Sequence, residues 1–138
     1  MHIAPHDNRN QPIVGADDPV VPLNYFNIVR LARGESFAYA VPGYETCIVP
    51  ATGTVDVEVG GFRVDGIGGR GVDVWDGEPE GVYVPLGAEA RITCRSDTAE
   101  VFIAGAACDE VFEPFAVRAE DLDLVQYGSD DTKTHRKI

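Results

Sequence analysis

The sequence predicts a single all-β domain, and three observations carry that prediction. Apolar and polar residues alternate with period two from Asn24 onward, Gly and Pro punctuate the alternation, and almost no stretch of helical period appears before Ala119 to Gln126. Many short strands joined by Gly/Pro turns belong to a sandwich, a jelly roll or a small barrel. A chain of 138 residues fits one ordinary domain of roughly 100–150 residues.

Residues 1–23 are polar and interrupted by Pro5, Pro12, Pro19 and Pro22, so they are expected as an extended arm running over a surface. About nine antiparallel strands follow over residues 24–117: Tyr25 to Leu31, Ser36 to Val41, Thr46 to Val49, Thr54 to Val59, Phe62 to Asp65, Val72 to Trp75, Val82 to Val84, Glu89 to Arg95 and Glu100 to Ala104. The cleanest is Val55-Asp56-Val57-Glu58-Val59, where valines face one way and carboxylates the other, as on a sheet with one dry and one wet face. Gly60-Gly61 then supplies a two-residue hairpin turn. Ala90, Ile92 and Cys94 alternate with Glu89, Arg91, Thr93 and Arg95 in the same way. Residues 118–138 form a short helical turn and then a polar linker or tail with no closing strand.

Eleven Lys and Arg against 23 Asp and Glu give a net charge of −12. Lys133, Arg136 and Lys137 crowd the last six positions, so residues 1–132 carry eight basic against 23 acidic side chains, a balance of −15. A field of that sign repels nucleic-acid phosphates and anionic lipid heads, which argues against both as partners. No apolar run approaches the ~20 residues of a spanning helix. The first residues lack a basic region followed by an apolar stretch, which makes the cytoplasm the expected compartment.

Cys47, Cys94 and Cys108 make an odd count without C-x-x-C spacing, which opposes a disulfide framework or a thiolate zinc site; they are expected as buried structural thiols. Gly66-Ile67-Gly68-Gly69-Arg70-Gly71 matches G-x-G-x-x-G, but alternating Val72 to Trp75 comes after it where a helix should open. A glycine-rich strand-to-strand loop is the better reading. Asp73, Asp76, Glu78 and Glu80 crowd one stretch without the spacing of a calcium loop, and a solvated acidic loop accounts for them. Trp75 and Tyr83 are aromatic candidates for a ligand cavity or, more simply, for the core. His2, His6 and His135 lie in the arm and the tail, so no strand offers an imidazole to the interior. A transition-metal site needs several imidazole, thiolate or carboxylate ligands at one point. The sequence therefore assigns no catalytic, cofactor-binding or metal-binding residue.

Gly81-Val82-Tyr83-Val84-Pro85-Leu86-Gly87 resembles the second conserved box of the cupin superfamily, the small jelly-roll barrels. That box places a metal-binding histidine soon after Pro-x-Gly, where this sequence has Ala88-Glu89-Ala90-Arg91. Gly34 and Gly53 bracket a counterpart of the first box, but Ala40-Val41-Pro42 stand near its histidine pair, and only Glu45 falls near its glutamate. The resemblance extends to the N-terminal half of the 5-deoxy-glucuronate isomerase family of inositol catabolism, kin to the 4-deoxy-threo-hexosulose-uronate isomerases of pectin breakdown. Its pieces include Asn10-Gln11-Pro12-Ile13-Val14, Phe26-Asn27-Ile28-Val29-Arg30-Leu31-Ala32-Arg33-Gly34-Glu35-Ser36 and Tyr44-Glu45-Thr46-Cys47-Ile48-Val49. Gly53 to Val59, Gly69 to Gly77 and Val82 to Gly87 continue it.

The resemblance implies a cupin-type jelly-roll barrel and, by descent, a sugar-acid aldose–ketose isomerase. In the family a second cupin half carries the divalent metal, its ligands and the chemistry, so no cofactor is expected in this chain and that half is expected beyond residue 138. The chain is then the metal-free, non-catalytic scaffold half, with a second cupin half or a homodimer partner as its expected contact. An alternative is a stand-alone metal-free cupin that binds a small carbohydrate-like ligand, such as a sugar acid, or a protein partner. A third reading pairs it with a separately encoded metal-bearing half. An exposed apolar patch is the expected trace of docking.

Overall fold

The computed structural model describes residues 9–123, 125–129, 131 and 134–137. Ten strands lie among them, and one strand organises the rest. β3 (Tyr44–Val59) is 16 residues long. Its first part pairs antiparallel with β7 (Thr98–Ala107) on one side and β5 (Gly81–Val84) on the other. Its last part pairs with β4 (Phe62–Arg70) and β6 (Ala90–Cys94). β1 (Asn24–Ala32) flanks β7, β8 (Phe115–Val117) flanks β5, and β2 (Ser36–Tyr39) flanks β6. The result is a five-stranded sheet, β1-β7-β3-β5-β8, joined through β3 to β2-β6-β3-β4. β3 can serve both because it bends. Pro50 cannot donate a ladder hydrogen bond, and the register with β7 slips between Pro50 and Thr52, as at a bulge.

The dry space between the sheets is filled by inward residues at alternate positions: Val29, Ile48, Val57, Ile92, Val101 and Ile103 are among the fully buried side chains. β1 and β6 keep the expected alternation, and the Gly60-Gly61 turn joins Val59 to Phe62 as expected, with Gly60 at φ +56°. In the described part of the arm, Ile13 and Val14 donate to the Phe26 carbonyl and Val14 accepts from Phe26 N, so the arm lies along β1. Val14 is itself buried.

Several expectations need correction. Thr46 to Val49 and Thr54 to Val59 are one bent strand, not two. Val72 to Trp75 form a turn rather than a strand, because Asp73 and Asp76 side chains accept the backbone N–H groups of Trp75 and Asp73, each at 3.0 Å, and so compete with a ladder. Gly66 to Arg70 belong to β4, and the loop begins only at Gly71. Asp56 does not face water: it is 5% exposed, accepts from Gly66 N at 3.0 Å and meets Arg95 at 3.0 Å and Arg63 at 3.6 Å. Cys94 is buried, but Cys47 is exposed and Cys108 intermediate. Beyond the short 3₁₀ turn Ala119–Asp121, the polar tail is not strandless, since β9 (Gln126–Ser129) pairs with β10 (Thr134–Lys137). Tyr127 remains exposed there, so this ladder leaves little apolar alternation to read. β8, only three residues long, is too short for periodicity to reveal.

Candidate functional site

The positions that could carry chemistry scatter. Glu45 leaves the interior and stands on the outer face of β3, where its carboxylate accepts the Tyr83 hydroxyl at 2.6 Å. Val41, near the place of the first-box histidines, is a core residue. Asp73 and Asp76 are occupied by the backbone of their own turn, and Glu78 is exposed. Trp75 is 89% exposed, so it fills neither core nor cavity. His2 and His6 lie outside the described residues, and His135 is on β10 opposite Gly128.

Glu80 corrects the reading of a solvated acidic loop. Its side chain is 12% exposed and accepts from Gly68 N at 2.8 Å, Ala119 N at 3.1 Å and Arg118 Nη1 at 3.2 Å. Arg118 also donates to the Gly66 carbonyl at 2.9 Å and the Asp65 carbonyl at 2.7 Å. This clasp ties β4 to the segment after β8. Nothing local in the sequence marks it, because its two charges are 38 residues apart.

The described residues of the interior do not fit a metal of the cupin kind. Among the described residues no three His, Cys, Asp or Glu side chains gather where they could hold an ion. The buried residues are mainly aliphatic, with Tyr25, Tyr44, Cys94 and the fully buried Asn27 among them, and the Tyr39 and Thr46 hydroxyls are bonded to each other at 2.8 Å. Burial raises the Tyr39 phenol well above its ordinary value, so that pair stays neutral.

The outer face of the five-stranded sheet is the more distinctive surface. Phe26, Ala104, Cys47, Tyr83 and Phe115 are successive cross-strand neighbours from β1 to β8. The Phe26 and Phe102 rings lie 6.0 Å apart, and Tyr83 stacks on Phe115 at 5.0 Å. The sequence carried a signal for this face: Tyr25-Phe26 and Val101-Phe102-Ile103-Ala104 are apolar at both phases of the alternation. A shallow depression of about 260 Å³ beside Tyr83 is lined by Glu45, Cys47 and Ala106 among others. Partial desolvation and then Glu45 raise the Cys47 thiol, which disfavours its nucleophilic form.

Desolvation, followed by the hydrogen bond to Glu45 and its charge, pushes the Tyr83 phenol up to about 12. Between pH 10 and 12 the unfolded chain loses this proton while the folded one keeps it, so stability falls with rising pH across that window. Glu45→Gln is expected to lower the Tyr83 midpoint, read at 295 nm as the difference between otherwise identical chains with Tyr83 and with Tyr83→Phe. An unchanged midpoint would show that Glu45 does not control it.

Solved structures with the same architecture include an IolB-like protein from Salmonella typhimurium LT2, with a TM-score of 0.71 at 19% identity over 86% of this chain and 44% of that one. A cupin protein from Bacteroides fragilis matches with a TM-score of 0.53 at 12% identity, covering 82% of this chain and 86% of that one. An RmlC-like cupin family protein with a double-stranded β-helix fold from Methanocaldococcus jannaschii gives 0.52 at 16% identity, covering 78% and 91%. These likenesses establish the cupin jelly-roll fold. The chain spans less than half the length of the Salmonella protein. No curated protein matches the sequence. The model of the KduI/IolB family matches residues 2–138. With the sequence matched from the arm through the β5 Pro-x-Gly turn to the β10 segment, the chain belongs to the KduI/IolB family.

Proposed function

We propose that this chain is the metal-free scaffold barrel of a sugar-acid aldose–ketose isomerase of the 5-deoxy-glucuronate type, acting in inositol catabolism in the cytoplasm. Its work is to pack against a metal-bearing cupin half and to shape the oligomer. The observation that carries this reading is the interior itself. Where the cupin boxes would carry ligand histidines, this chain has Val41, a core residue, and Ala88-Glu89-Ala90-Arg91, of which Ala90 is buried. Family membership supports the isomerase lineage. Three free thiols without a disulfide suit a reducing compartment.

The test is direct. The purified 138-residue chain, incubated with 5-deoxy-glucuronate and excess Mn²⁺ or Zn²⁺, is expected to form no ketose and to retain only substoichiometric metal after gel filtration. Turnover with one bound metal per chain would overturn the proposal. Thermal stabilisation by sugar acids, absent with unrelated acids, would move the assignment to a stand-alone binding module.

A further inference from the structure

We infer that the outer face of the five-stranded sheet is a self-association surface, and that its occupant is the same face of a second copy of this chain. This goes beyond the scaffold role and does not depend on it.

A sheet with one wet face should place polar residues outward. Here the outward row Phe26, Ala104, Cys47, Tyr83 and Phe115 runs unbroken across all five strands, with Phe102 beside it. Cys47, Ala104 and Phe115 are exposed, and Phe26, Phe102 and Tyr83 are half-buried. None of the six belongs to the core cluster. Five strands at about 4.8 Å spacing and six residues rising about 3.4 Å each give a footprint of about 500 Å². That is near half of the roughly 1,000 Å² that a specific interface should bury over both partners.

Charge selects the occupant. Two copies at −12 repel one another, so a stable contact between them needs a face that is locally near neutral. On this face Arg30 and Glu100 cancel in an ion pair at 2.7 Å. Among the described residues that pair within this sheet Glu45 is the remaining outward acid, since Glu58 lies on the part of β3 paired with β4 and β6, and the Glu45 carboxylate already holds the Tyr83 hydroxyl. A basic partner would gain more from the acidic surface elsewhere; an equally acidic copy gains most here. A two-fold axis through the face lets each row cover its counterpart, as isologous dimers do.

Sedimentation velocity and light scattering on the 138-residue chain at micromolar concentration are expected to give a particle of twice 14.9 kDa. Ala104→Arg puts a charge at an exposed position in the middle of the row, and is expected to raise the dimer dissociation constant at least about tenfold with an unchanged far-UV spectrum. Phe102→Ser is the second variant and should weaken the dimer in the same direction even if Ala104→Arg does not fold. Trp75→Ser, on the exposed turn away from this sheet, should leave the dimer intact. A monomer throughout the concentration range, a dimer indifferent to both sheet variants, or a dimer lost with Trp75→Ser would each overturn the inference.

Discussion

Gly53→Ala is expected to destabilise the protein by about 3–4 kcal/mol and to lower the melting temperature by roughly 12–15 °C. Gly53 lies in the bend of β3, at φ +77°, where β3 passes from one sheet to the other. Alanine there carries the left-handed backbone cost of about 1 kcal/mol. Its methyl group would also press on the Thr98 carbonyl oxygen and reach Ser96 Oγ at 2.6 Å and Ala99 Cα at 2.9 Å. These neighbours cannot yield cheaply. Ser96 Oγ accepts from Thr54 N at 2.9 Å and donates to the Thr98 carbonyl at 2.7 Å, so moving it breaks the bonds that hold the bend. Overpacking of this kind costs about 1–3 kcal/mol, and each lost hydrogen bond about 1 kcal/mol. Gly60→Ala is the control: it shares a positive φ of +56° but meets nothing within 4 Å, and should cost only about 1 kcal/mol. Urea midpoints for the two variants read the difference. Equal losses would show that the crowding at the bend carries no energy.

The same bend explains what could and could not be read from residues alone. In β6, Ala90, Ile92 and Cys94 are buried while Arg91 is exposed, so a single dry face writes itself into the sequence with period two. β3 defeats that reading at Pro50 to Gly53, since Pro and Gly mark turns far more often than the bulged crossing they form here. Val72 to Trp75 fails in the opposite sense: the alternation is present, but Asp73 and Asp76 capture the backbone first, and Val72 is left 98% exposed. Asp56 shows a third limit. Its alternation with Val55 and Val57 correctly puts it opposite the core, but Arg63 of β4 and Arg95 just past β6 close over it. That none of β1 to β8 carries a histidine was legible at once, because the three histidines stand at positions 2, 6 and 135. The apolar outer row was only half legible, for its signal is a run apolar at both phases, and its continuity depends on five-strand register.

Glu80→Ala is expected to cost about 3 kcal/mol and to free the segment after β8, because the carboxylate serves three donors at once. Without it, the Gly68 and Ala119 N–H groups lose their acceptor, and Arg118 keeps only the Asp65 and Gly66 carbonyls. Each stranded backbone donor accounts for about 1 kcal/mol or more. The ion-pair part is moderated by solvent, since the Arg118 side chain is 30% exposed. Glu80→Gln should therefore cost less, about 1–2 kcal/mol, as its amide oxygen still accepts from one of the N–H groups. In the double variant Glu80→Ala with Arg118→Ala the losses should be less than additive, because the second change removes the partner that the first left uncompensated. Thermal melts give the energies, and limited proteolysis after Val117 gives the local effect: cleavage within 118–129 should accelerate in Glu80→Ala under conditions where the wild-type segment resists. A fully additive double variant, or cleavage at the wild-type rate, would mean that β4 and the segment after β8 are held together by the Phe115–Val117 strand pairing and not by the clasp.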